Sequence, residues 1–115
     1  MISLLTADQR ALLLANGQRS AAGGGGDYFP VVKLFTPDGA CTWLLTELDP
    51  EDPDIAFGLC DLGMGFPELG CVRISELESV RGKLRLPIER DLYFTADRPL
   101  SAYADEAHRL GHVQA

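Results

Sequence analysis

The stretch that most narrows what this chain can become is Asp49-Pro50-Glu51-Asp52-Pro53-Asp54. A proline has no N–H to give to a ladder or a helix, and it pushes the residue before it out of helical space. Two of them this close rule out regular structure here. Runs rich in leucine, β-branched and aromatic residues stand on either side, residues 40–48 and 55–62. Both read as strands. The hinge between them is too short to hold a crossover helix, so the two strands must run antiparallel.

The chain extends outward from that hinge in the same way. Residues 31–35 form a further strand-like run, and Thr36-Pro37-Asp38-Gly39 supplies turn chemistry, so residues 31–48 read as a hairpin. In strict alternation one face of the second strand carries Cys41, Trp43, Leu45 and Glu47, the other Thr42, Leu44, Thr46 and Leu48. A broad turn at 63–67 leads to a fourth strand at 69–74. Ser75-Glu76-Leu77-Glu78 has the form of a capping box opening a short helix that ends by Gly82. Residues 92–95 read as a short final strand. After Pro99, apolar residues at 100, 103, 104, 107 and 110 have helical spacing, and Gly111 ends the run. At the other end Thr6-Ala7-Asp8-Gln9 is a second capping box, and the helix it opens is expected to stop at Asn16-Gly17. The expected fold is α+β: an antiparallel sheet of four or five strands with the N- and C-terminal helices packed on one face. One domain spans residues 1–115, with a flexible glycine-rich loop at 18–28.

At 115 residues the chain can bury a core without a disulfide or metal. Its formal charge of −7 repels phosphate backbones and anionic lipid alike. No run approaches the roughly 20 apolar residues of a membrane span, and the first five residues lack the basic start of a secretory signal. Cys41, Cys60 and Cys71 are odd in number and show no C-x-x-C pair, which suits reduced, metal-free thiols in a cytoplasmic protein. The glycine tract at 23–26 lacks the lysine and hydroxyl of a phosphate loop and reads as linker.

Two charged groups are candidate sites. Glu47, Asp49, Glu51, Asp52 and Asp54 crowd carboxylates into the stiffened hinge, where they suit a basic surface on a partner protein. As a calcium loop the segment fails: two prolines interrupt it where alternating ligands and a central glycine are needed, and the twelfth position from Asp49 is Cys60, not a closing glutamate. The alternative site is Arg73, Arg81, Lys83, Arg85 and Arg90, with Tyr93 and Phe94 nearby, a combination suited to single-stranded nucleic acid. His108 and His112 share a helix face but lack a third ligand and the glutamate of a zinc protease. No catalytic constellation is visible, and no cofactor or metal is implied.

The segments P-V-V-K-L-F-T-P-D, T-W-L-L-T-E-L-D-P-E-D-P-D-I-A-F-G-L-C-D-L-G and G-F-P-E-L-G, with S-E-L and L-S-A-Y-A further on, resemble a family of small proteobacterial proteins, domain of unknown function 2958. The resemblance covers residues 4–111. It implies a setting on plasmids and integrative conjugative elements, and no activity. In that setting the expected role is a non-catalytic accessory that binds a host or element-encoded protein through the acidic surface. A nucleic-acid accessory of conjugation or replication, or a DNA-mimicking inhibitor of a defence nuclease, are the alternatives.

Overall fold

The computed structural model describes residues 3–115. Helix α1 (Ala7–Ala21) is followed by strands β1 (Val32–Phe35), β2 (Thr42–Leu48), β3 (Ile55–Asp61) and β4 (Glu68–Arg73), helix α2 (Ile74–Ser79), strand β5 (Glu89–Arg90) and helix α3 (Leu100–Leu110). The five strands form one antiparallel sheet in the order β4-β3-β2-β1-β5. The fold is α+β, with the hairpin and its antiparallel continuation where the turn chemistry places them. The closing strand is Glu89–Arg90, not residues 92–95. It pairs with β1, and Asp91 N–H adds a bond to Lys33 O, after which the chain leaves the sheet.

Both faces of β2 are apolar, and both are covered. Trp43 and Leu45 pack with Leu13, Val32, Leu34, Ile74 and Leu77; Trp43 is 4% exposed. Leu44 and Leu59 pack on the other face with Leu100, Tyr103, Ala104 and Ala107. The two terminal helices therefore do not share one face. Leu13 of α1 enters the Trp43 side, and α3 covers the Leu44 side.

Strict alternation breaks inside β2. The register to β3 shifts between Leu45 and Glu47, leaving Thr46 as an unpaired bulge. Leu45 opposes Gly58 and Leu48 opposes Ala56, so Leu48 joins the Trp43 side, and Glu47 turns to the other face opposite Phe57.

Helix α1 begins at the expected capping box: Gln9 N–H donates to Thr6 Oγ1 at 3.0 Å, and Thr6 N–H donates to Gln9 Oε1 at 3.0 Å. It does not stop at Gly17. The helix continues to Ala21 because Gly17 lies where α1 crosses β2, and a Cβ there would fall on the Leu48 carbonyl oxygen. One residue earlier, Asn16 Nδ2 donates to Thr46 O at 2.9 Å. Gly17 is thus a contact glycine, not a left-handed stop. Residues 18–21 are helical, while Asp27 and Tyr28 are fastened to α3 through Ser101 and Leu100. Within the glycine tract, Gly23 N–H donates to Ser20 O at 3.1 Å and Gly24 N–H to Arg19 O at 2.9 Å, at the end of α1.

Gly17→Ala carries a helix-propensity gain of about 1 kcal/mol, against an overpacking cost of about 1–3 kcal/mol or more where backbone must yield. The clash wins, so this variant melts well below wild type. Gly26→Ala, with nothing within 4 Å of its added Cβ, melts at the wild-type temperature or slightly above. Thermal denaturation by circular dichroism checks both.

Candidate functional site

The acidic hinge becomes an ordered turn because its carboxylates bond to its own backbone. Asp49 Oδ1 accepts from Glu51 N–H at 2.9 Å, and Asp52 Oδ1 accepts from Asp54 N–H at 3.3 Å. These are Asx turns, the local bonds short polar side chains favour where prolines exclude helix and strand. Asp49 N–H donates to Ile55 O and Ile55 N–H to Asp52 O, which closes the base of the loop.

Asp54 reaches further. Its Oδ1 accepts from Ser75 N–H at 2.9 Å and its Oδ2 from Ser75 Oγ at 2.6 Å. Arg73, the residue at the cap position of α2, provides no side-chain cap, so Asp54 fills that place from the neighbouring loop. The Ser75 capping box anticipated within the helix is not what caps it. Arg73 instead turns its guanidinium to Asp52 Oδ2 at 3.1 Å and Asp54 Oδ2 at 3.6 Å. The Ser75 bonds, then the Arg73 charge, hold the Asp54 carboxyl below its ordinary value of 3.8, and Asp52 and then Asp54 push the Arg73 guanidinium higher still.

Of the five candidate acidic residues, Asp49, Asp52 and Asp54 are therefore bonded within the protein. Glu51 is exposed at the tip. Glu47 is half-buried on the face to which the bulge turns it. There it lines an open cavity of about 340 Å³ with Gly17, Ser20, Pro50, Phe57 and Cys71.

The structure does not bring the five candidate basic residues onto one surface. Arg73 lies on β4 and Arg90 on β5, the opposite edges of the sheet. Arg90 donates to the Leu4 carbonyl at 2.8 Å, beside a cavity of about 520 Å³ walled by Leu4, Ile88 and Leu92. Arg81 turns back to the carbonyls of Glu78 and Val80. Lys83 and Arg85 project from a loop closed by the Arg81–Pro87 bridge, with Arg85 at φ 64°. Asp38 fixes that loop, its Oδ2 accepting from Leu84 N–H at 2.7 Å and Leu86 N–H at 3.4 Å.

The thiols also divide between faces. Cys41 and Cys60 pack against the Trp43 core, whereas Cys71 is exposed on β4, opposite Phe57 on the other face. Burial, then the nearby Cys71, pushes the Cys60 thiol up to about 11. His108 and His112 are exposed at and beyond the end of α3. Among the described residues no group of three His, Cys, Asp or Glu side chains could hold a metal ion, and no helix is long and apolar enough to cross a membrane.

One surface feature went unread in the sequence. Leu62, Met64, Phe66 and Leu69, around the β3–β4 turn, are all exposed, Phe66 to 81% and Met64 to 70%. The signal was present: apolar residues set between Gly63, Gly65 and Pro67, with no period that would bury them.

Among known proteins, a family model described as protein of unknown function (DUF2958) matches residues 4–114. No curated protein and no solved structure is significantly similar.

Asp54→Asn keeps an acceptor for Ser75 and removes the charge, so its cost reads the electrostatic part of the cap. A carboxyl depressed on folding stabilises the native state above its unfolded pKa, near 3.8, and that contribution is lost as pH falls through the folded value. The variant should melt below wild type at pH 7, and the gap should close as pH falls below about 4. A melting series against pH checks the sign; a gap independent of pH would contradict it.

Proposed function

The chain belongs to the DUF2958 family of proteins of unknown function, and from that starting point we propose that it is a non-catalytic protein-interaction domain that docks through the acidic β2–β3 loop. The observation that carries this reading is the loop's internal bonding: Asp49, Asp52 and Asp54 fix the backbone while Asp49 and Glu51 remain exposed. A loop ordered before binding loses less entropy on docking. Five carboxylates of the chain sit here against the one guanidinium of Arg73, which leaves the loop net negative. Charges of that kind attract a basic protein face and speed encounter with it. The partner is a host or element-encoded protein with such a face. The setting is the cytoplasm of a bacterium carrying a plasmid or integrative conjugative element, as the sequence resemblance implies.

A second reading keeps nucleic acid as the ligand. It is favoured by the Asp38-locked loop that presents Lys83 and Arg85, and it uses Arg81 at the base of that loop without Arg73 or Arg90.

The test separates charge from architecture. Asp49→Asn combined with Glu51→Gln removes two exposed charges, and the amide introduced at position 49 still offers its oxygen to the residue-51 N–H. Asp52 and Asp54 stay untouched. With unchanged melting, capture of the partner from a proteobacterial lysate should weaken about 2- to 30-fold at low salt, from about 0.2–1 kcal/mol per exposed charge. The difference should vanish near 1 M salt. Equal capture and equal salt dependence would remove the acidic-loop reading. Salt-sensitive anisotropy of a labelled single strand, lost in Lys83→Glu with Arg85→Glu, would favour the second.

A further inference from the structure

The two edges of the sheet are finished differently. On one side β5 is two residues long, next to Pro87 and the turn at Asp91, so little of it is open to pairing. On the other side β4 runs for six residues, holds an unbroken register with β3, and contains no proline, lysine or bulge. Ile74 N–H donates to Asp54 O, so the bonded partners of β3 are the even-numbered residues of β4. Leu69, Cys71 and Arg73 accordingly turn their N–H and C=O groups away from the sheet. The positive charge on this edge is held by Asp52 and Asp54. Exposed Leu62, Met64 and Phe66 stand in the turn that leads into this strand, and exposed Leu69 on the strand itself.

We propose that this edge pairs antiparallel with β4 of a second copy of the chain, centred on Cys71, to make a sheet continuous across a twofold axis. The inference does not rest on the acidic loop. Opposed residues of an antiparallel pair share a face, so a symmetric register must place one residue opposite itself. Centred on Gly70 or Val72, only two outward residues of each chain would exchange both bonds, and centred on Arg73 it would set two guanidinium groups together. Centred on Leu69, it would set Cys71 against Pro67, which has no N–H to give. Centred on Cys71, Leu69 meets the other chain's Arg73 and Cys71 meets Cys71. All three outward residues of each chain then exchange both of their backbone bonds. Two molecules of charge −7 repel over most of their surface, and residues 69–72 of β4 offer an uncharged stretch along which they can approach.

The test is the mass of the full chain by sedimentation velocity across a concentration series, under reducing conditions. Wild type should reach twice the 12.5 kDa of one chain. Cys71→Pro removes an outward N–H without taking a bond from β3, and Leu69→Lys places a charge at the pairing line. Each should sediment as a single chain. Facing residues of a bonded antiparallel pair lie about 5.5 Å apart at Cα, within disulfide span. Oxidation by dissolved oxygen with copper-phenanthroline, which takes two protons and two electrons from a pair of thiols, should therefore cross-link wild type and a Cys41→Ser, Cys60→Ser variant. Cys71→Ser should stay uncrosslinked. A wild type that remains a single chain at every concentration overturns the proposal, as does a dimer that survives Leu69→Lys or cross-links without Cys71. If Cys71→Pro loses its fold by circular dichroism, Leu69→Lys and the cross-link decide.

Discussion

The bulge at Thr46 is the constraint on which the rest of the molecule depends. An unbulged β2 would put Leu48 on the same face as Leu44 and bury Glu47 beside Trp43 and Leu45. The extra residue reverses both. Leu48 enters the Trp43 core, and Glu47 moves to the open cavity on the other side. The same shift turns the carbonyls of Thr46 and Leu48 toward the stretch of edge that β1 leaves uncovered. There Asn16 donates to one, and Gly17 lets α1 close over the other. Seating the first helix, segregating charge and completing the core all follow from one inserted position.

Both later helices are capped from outside themselves, and in the same way. Asp54 holds the N–H and hydroxyl of Ser75 at the start of α2, and Asp27 holds the N–H and hydroxyl of Ser101 at the start of α3. Arg73 and Pro99, the residues at the two cap positions, supply no side-chain oxygen. A remote carboxylate therefore takes up the first-turn donors and favours the positive end of each helix. This gives the crowding of acids around the hinge a structural role as well as an electrostatic one. Like charges are tolerated in that loop because each aspartate has a donor: backbone for Asp49 and Asp52, Ser75 for Asp54, and Arg73 shared between the last two.

What was legible in the sequence is what depends on neighbours in the chain. The Thr6–Gln9 box closes within three residues, the hairpin turn within four, and Gly111 ends α3 in the left-handed conformation its position suggests. What was not legible depends on residues far away. Gly17 looks like a helix stop until Leu48 is known to lie against it. The cap of α2 comes from 21 residues upstream and that of α3 from 74. The opposite placement of α1 and α3 had a trace in T-W-L-L-T-E-L, where apolar residues occupy both parities and so call for cover on both faces. The bulge left one trace, Glu47, which strict alternation sets beside Trp43 and Leu45, but nothing in Leu-Thr-Glu-Leu tells which residue is the extra one. In the candidate sites the spacing of the acids was readable, but the identity of their partners was not. Arg73, grouped by sequence with the basic residues, is by geometry part of the acidic loop.

The closures of the molecule also decide which backbone groups stay open to solvent. Helix α1 and strand β5 finish the β1–β2 side. Asp27 ties down the start of α3, and buried Asp61 accepts Val113 N–H at 2.9 Å to hold the segment that follows it. Asp38 pins the loop after α2 against the β1–β2 turn. The closures by Asp27, Asp61 and Asp38 use a carboxylate to satisfy backbone donors, and each withdraws backbone from contact with another molecule. On the β3–β4 side Asp61 Oδ1 accepts Gly63 N–H at 2.8 Å and Asp54 accepts Ser75 N–H, but among the described residues no carboxylate closes the outer edge of β4. There the unpaired groups of β4, the exposed Met64 and Phe66 and the acidic tip at Glu51 occur together. The chain spends many of its carboxylates on closing itself, and the outward backbone groups of β4 are what that closure leaves open.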